Sequence, residues 1–199
     1  MSSDRPRLPL QIAFLTGQSN PGNAALSPQQ TAFLEALPVL PEWKVPVNFP
    51  YPDFPQTFRK TPLPIASFHN LALYLRSRRP AFAAIYRPPV LAQIERSERT
   101  LFLAGSSGLE LLANLHLPAA ALARLHVFAY GPVARRLPSV DARFVQGRDS
   151  ISRLYFRVGL PKARIARVGC DHLGYLSDPA VLALCVGYLQ DIQAAGGTA

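Results

Sequence analysis

Two patterns alternate along this chain. Short, nearly continuous apolar runs that stop at glycine give way to stretches whose apolar positions recur every three or four residues. The first run, LQIAFLTG (10–17), predicts a strand. SPQQTAFLEALP (27–38) predicts the helix after it, with Ser27 placed to cap it and Pro28 in the first helical position. WKVPVNFPY predicts a poorer strand, because Pro46 has no amide hydrogen to give to a ladder. Pro50, Pro52, Pro55, Pro62 and Pro64 mark residues 50–64 as a loop, after which IASFHNLALYLRSR and PPVLAQIERS predict helices. TLFLAG (100–105) is a strand with both faces covered, and SGLELLANL is the helix that follows it. LHVFAYG (125–131), DARFVQG (141–147) and ARIARVG (163–169) predict three more strands. SDPAVLALCVGYLQDIQAA (177–195) predicts a final helix, capped by Ser177 or Asp178 with Pro179 first. Strands alternating with helices imply an α/β fold: a mostly parallel sheet of about six strands with helices on both faces, in one domain over residues 1–199. Ligands of such sheets bind beyond the carboxyl ends of the strands, where these glycine-rich turns fall.

Composition narrows the partners. About half of the 199 residues are apolar, enough for a full core, but no apolar run is long enough to span a bilayer. The N-terminal MSSDRPRLPLQIAFLTG has a short apolar run interrupted by Gln11 and no small-residue cleavage site, so it predicts a first strand and not a signal peptide. Cys170 and Cys185 make no disulfide framework, which suits a cytoplasmic protein. The formal charge of +9 would attract acidic partners such as coenzyme A or an acidic carrier protein. Its arginines are scattered and not interleaved with stacking aromatics, so nucleic acid is not an expected partner. Four histidines and two cysteines without paired spacing predict no metal site, and no phosphate-cradling glycine motif supports a nucleotide cofactor.

The candidate chemistry lies at two strand ends, LFLAGSSGLELLANL (101–115) and IAFLTGQSNPG (12–22). A nucleophile held on a sharp strand-to-helix turn needs small residues two places before and after it. Ser106 has Ala104 and Gly108 there, whereas Ser107 has Gly105 and the bulky Leu109. The AGSSG turn resembles the nucleophile elbow of the α/β-hydrolase family, with Ala104 in place of its first glycine. In that family a strand ends in the nucleophilic Ser, a later strand in an acid, and the last strand is followed by a His. Ser106, Asp149 and His172 occur in that order, Asp149 just past RFVQG and His172 just past RIARVGC. The resemblance implies that His172 takes the Ser106 proton while Asp149 orients the imidazole. It also nominates the Gln18 amide as one oxyanion donor and the Ser107 amide as the second, although Thr16 stands where the family often has His. Gly17, Ser19 and Asn20 would line the pocket.

The other acids fit less well: Asp141 begins its strand, Asp171 adjoins His172 and Asp178 suits a helix cap. The TGQSN block also resembles the SGNH-type esterases, with Ser19 as nucleophile, but that family expects Asp three residues before its His and Gly169 stands there. The expected activity is hydrolysis of an ester or thioester, an acyl-coenzyme A or acyl-carrier thioester included. The alternatives are the Ser19 esterase, or a hydrolase-fold protein that binds without catalysis. No room exists for a helical lid between Gly131 and Asp149, so the pocket wall is expected from residues 50–99. Phe54, Phe58, Phe68, Tyr74, Phe82 and Tyr86 there are numerous enough to hold an acyl or aryl chain.

Overall fold

The computed structural model describes residues 6–54, 56–151, 153 and 165–196. Six parallel strands form one sheet: β1 (Leu8–Phe14), β2 (Lys44–Asn48), β3 (Ser97–Gly105), β4 (Leu125–Tyr130), β5 (Asp141–Gln146) and β6 (Ile165–Arg167), in the order β2-β1-β3-β4-β5-β6. Among the described residues the helices include α1 (Pro28–Ala36), α2 (Leu63–Arg76), α3 (Pro80–Glu95), α4 (Gly108–Asn114), α5 (Ala119–Leu122) and α6 (Pro179–Gly196). The expected α/β fold with a parallel sheet of six strands is therefore the observed one.

Period-two alternation divides the core. Ala13, Leu15, Phe102, Ala104, Val127, Ala129 and Phe144 turn to the side that carries α3, α4 and α5, where they meet Leu73, Val90, Ile94 and Leu111. Ile12, Phe14, Leu101, Leu103, Phe128 and Val145 turn to the other side, against Phe33 and Leu34 of α1 and Val181, Cys185 and Leu189 of α6. The unbroken apolar runs follow from this double covering. Gln11, the polar interruption in β1, is buried and tied to β3 through Thr100 Oγ1 at 2.9 Å and to the Gln93 carbonyl of α3.

Local chemistry sets the ends. Ser27 and Gln30 form a reciprocal capping box at the start of α1, and the Asp178 carboxylate accepts from the Ala180 N–H at the start of α6. Proline-bearing β2 is an edge strand, where a missing donor costs least. One expectation needs correcting: the helix predicted to begin at Pro88 begins at Pro80, with Pro88 and Pro89 inside it. The carbonyls they leave without donors belong to Ala84 and Ile85, both exposed, so water can serve them. Residues 163 and 164 of the expected last strand, and Met1–Arg5, lie outside the described residues.

The chain steps from β1 outward to β2, then crosses back over β1 to β3. Connections thus diverge between the carboxyl ends of β1 and β3, which opens a crevice there.

Candidate active site

β3 ends at Gly105, and Ser106 follows with φ +49°, a left-handed conformation that non-glycine residues rarely adopt. Its backbone is locked on both sides. The Ser106 N–H donates to the Tyr130 carbonyl at 3.3 Å, and its carbonyl accepts from the Val133 N–H at 2.8 Å. α4 starts two residues later. A Cβ at Gly108 would sit 1.8 Å from the Leu15 carbonyl oxygen and 3.5 Å from the Ala104 Cβ. Smallness at 108 is therefore demanded mainly by the backbone after β1, and less by the partner position across the turn.

The later strand ends bring two more groups to the half-buried Ser106. His172 Nε2 lies 3.2 Å from Ser106 Oγ, and His172 Nδ1 lies 3.2 Å from Asp149 Oδ1. The Asp149 side chain is only 7 % exposed and that of His172 is 25 % exposed. Ser106, Asp149 and His172 thus form one hydrogen-bonded line at the carboxyl edge. Asp141 sits at the other end of β5 and bonds His126 and Tyr188. Asp171 accepts from the Leu173 N–H at 3.1 Å.

Tyr175 was not singled out by the sequence, yet it completes the line. Its hydroxyl donates to Asp149 Oδ2 at 2.9 Å and accepts from the Gly147 N–H at 2.5 Å. Its ring fits because residues 131 and 147 lack side chains. A Cβ at Gly131 would lie 2.5 Å from the ring, and one at Gly147 would lie 2.7 Å from the hydroxyl. The only signal in the sequence was a tyrosine three places after His172.

The loop after β1 faces this line across the crevice. Asn48, at the end of β2, accepts from the Thr16 N–H at 3.1 Å and donates to Thr16 Oγ1 at 2.8 Å, which fixes where the loop leaves the sheet. Gly17 allows the closest approach: a Cβ there would lie 2.1 Å from Asn70 Oδ1 and 2.8 Å from Ser107 Oγ. Among the described residues neither the Gln18 nor the Ser107 amide N–H has a hydrogen-bond acceptor. Ser107 Oγ is likewise buried without a partner. Ser19 sits in the same cavity, but its carbonyl faces His69 Nδ1 at 2.9 Å and its hydroxyl faces Asn70 at 3.4 Å, while the His172 imidazole is at Ser106.

A cavity of about 330 Å³ opens over Ser106 and His172. Gly17, Gln18, Ser19 and Asn20 are among the residues that line it. Its wall was expected mainly from the 50–99 segment, but residues 16–30 supply more of it, and the aromatics expected there contribute little. Tyr74 and Phe82 are buried in the core, Phe54 and Phe68 are exposed, and of the six only Phe58 reaches the cavity. Phe82 and Tyr86 instead pack on Phe49 with centroids 6.1 and 5.1 Å away. Asn, Gln, Ser and Thr recur along the lining, together with Arg59, Lys60 and apolar groups such as Phe58 and Leu176.

Cys170 takes no part. Burial, with the charge and hydrogen bond of Asp178 adding to it, pushes its thiol up to about 11, so it stays protonated near neutrality. No group of His, Cys, Asp and Glu among the described residues could hold a metal ion. Likewise, no helix among them is long and apolar enough to cross a membrane. No protein-family model matches this sequence, and no curated protein is significantly similar to it.

Proposed function

We propose that the chain is a serine hydrolase of the α/β-hydrolase type. More particularly, we infer that it cleaves an ester or thioester by acyl transfer through Ser106. The observation that carries this is the unbroken path from Ser106 Oγ through His172 to Asp149, each link 3.2 Å, on a serine whose backbone is held at φ +49°. His172 takes the hydroxyl proton as Ser106 Oγ attacks the carbonyl carbon, and Asp149 stabilises the resulting imidazolium. The amides of Gln18 and Ser107 receive the oxyanion. His172 then returns the proton to the leaving oxygen or sulfur as the bond to the acyl carbon breaks. Water repeats the sequence on the acyl-serine, releasing the acid and the free hydroxyl.

A cavity of about 330 Å³ with Asn, Gln, Ser and Thr among its lining has room and hydrogen-bond partners for a short acyl group. Arg59 and Lys60 beside it suit an anionic leaving group, as in a coenzyme A or carrier thioester. A fluorophosphonate probe tests the reading. Labelling at Ser106 that is lost in Ser106→Ala supports it, and labelling at Ser19 assigns the chemistry to the SGNH-type mechanism. If neither serine is labelled and p-nitrophenyl esters stay intact, the fold serves for binding.

A further inference from the structure

The segment between Asp53 and Glu95 contains no acidic residue at all, yet carries Arg59, Lys60, Arg76, Arg78, Arg79 and Arg87. Six cations without one carboxylate give this stretch most of the excess charge of the chain. α2 lies at its centre and has two apolar faces. Ala66, Leu73 and Tyr74 face inward and are buried. Ile65, Phe68, Leu71 and Leu75 recur every three or four residues on the opposite side and are 48, 68, 55 and 51 % exposed. A surface helix ordinarily presents polar residues there. A contiguous apolar stripe left in water marks a docking surface.

The charges lie where they would meet the edge of that surface. Arg59 and Lys60 precede the helix, and Arg76 and Arg79 follow the stripe. Among the described residues none of these four makes an ion pair, whereas Arg78 is committed to the buried Glu110 at 3.2 Å. Arg76 and Arg79 also border a shallow cavity of about 190 Å³ shared with the exposed Ile85. The stripe stands on a convex helix, so it offers no groove to a peptide. Two copies meeting on this face would bring cations against cations, with no acid to relieve them.

We propose that the outer face of α2 docks this protein peripherally on an anionic lipid surface. The apolar stripe enters the boundary between headgroups and acyl chains, and the four flanking cations contact lipid phosphates. Because His69 and Asn70 of the same helix touch the Ser19 loop, docking brings the mouth of the cavity close to the lipid.

Co-sedimentation of the full chain with vesicles tests this without reference to catalysis. One set is phosphatidylcholine alone and the other an equal mixture with phosphatidylglycerol. The expected result is binding to the mixed vesicles, weaker binding to the neutral ones, and release by salt. Each cation removed should weaken binding roughly fivefold, so Arg76→Gln with Arg79→Gln should weaken it roughly twenty-fivefold. Phe68→Ser with Leu75→Ser, both exposed, should lose most of it while the circular dichroism stays unchanged. Equal binding by that double variant overturns the proposal, as does failure to bind mixed vesicles. Binding to soluble polyglutamate but not to vesicles assigns the charge to an acidic protein partner and also overturns it. A dimer abolished by Phe68→Ser assigns the face to a second copy, with the same consequence.

Discussion

Tyr175→Phe removes one oxygen atom and leaves the ring where Gly131 and Gly147 already hold it. Two bonds are lost together. The Gly147 N–H keeps no acceptor in a buried place, and Asp149 Oδ2 loses the hydroxyl at 2.9 Å. A stranded buried amide costs about 1–3 kcal/mol, and a hydrogen bond to a charged group contributes about 1.5–3 kcal/mol. Some of this is recovered as the chain relaxes, so a net loss of about 3 kcal/mol is expected. For a domain of this size that lowers Tm by roughly 6–12 °C. Asp149 keeps Oδ1 on His172, so the catalytic loss should fall far short of the ~10⁴-fold seen when a triad acid stops orienting its histidine. A tilt costing about 1.4 kcal/mol in the transition state lowers kcat tenfold, with KM little changed. The assay is p-nitrophenyl ester hydrolysis beside thermal unfolding of the same preparation. A variant as stable as the parent, with unchanged kcat, would show that the hydroxyl neither supports the acid nor satisfies the amide.

The remaining predictions concern single groups. Ser106→Gly should abolish turnover yet stabilise the fold by about 1 kcal/mol, since glycine accepts φ +49° without strain; urea unfolding reads this directly. Gly108→Ala should cost about 3 kcal/mol or more, because a Cβ 1.8 Å from the Leu15 carbonyl forces β1's loop and α4 apart, and a normal urea midpoint would refute it. Stability should also fall on acidification from neutrality. Burial lowers the His126 pKa, aided by the Arg99 charge, against the opposing hydrogen bond and charge of Asp141. Burial raises that of Asp141, but hydrogen bonds from Tyr188 and His126 and the nearby cations outweigh it, so the net shift is downward. Both groups release protons on folding. Their contribution is full above the ordinary histidine value of about 6.5, declines below it as His126 is driven to charge, and falls again when Asp141 is protonated. Urea midpoints across this range should show the first decline in the parent and not in His126→Gln.

What could be read in the sequence was what sterics and burial write locally. The runs around Phe14, Phe102 and Phe128 are apolar because helices cover both faces of the sheet, and a period-two strand code cannot hide that. The Ala104–Gly108 spacing pointed to the bent serine. The same glycine also answers to Leu15, a contact that only folding brings near. Pro88 suggested a helix start because prolines favour first turns, and here water tolerates them mid-helix instead. Aromatic identity in the 50–99 segment revealed apolar mass but not direction. Tyr74 and Phe82 turned inward, Phe68 outward, and only Phe58 toward the cavity. Tyr175 was the hardest to see, because its partners at 147 and 149 are set by a tertiary approach and not by spacing.

The bent serine, the acid and the imidazole follow the ends of β3, β5 and β6, and the last is supplied by the segment that leads into α6. A ribosome releasing this polypeptide therefore exposes the Ser106 hydroxyl well before the His172 imidazole has been made. Until the segment that carries His172 and Tyr175 settles against Gly131 and Gly147, the Ser106 hydroxyl stands without its imidazole neighbour.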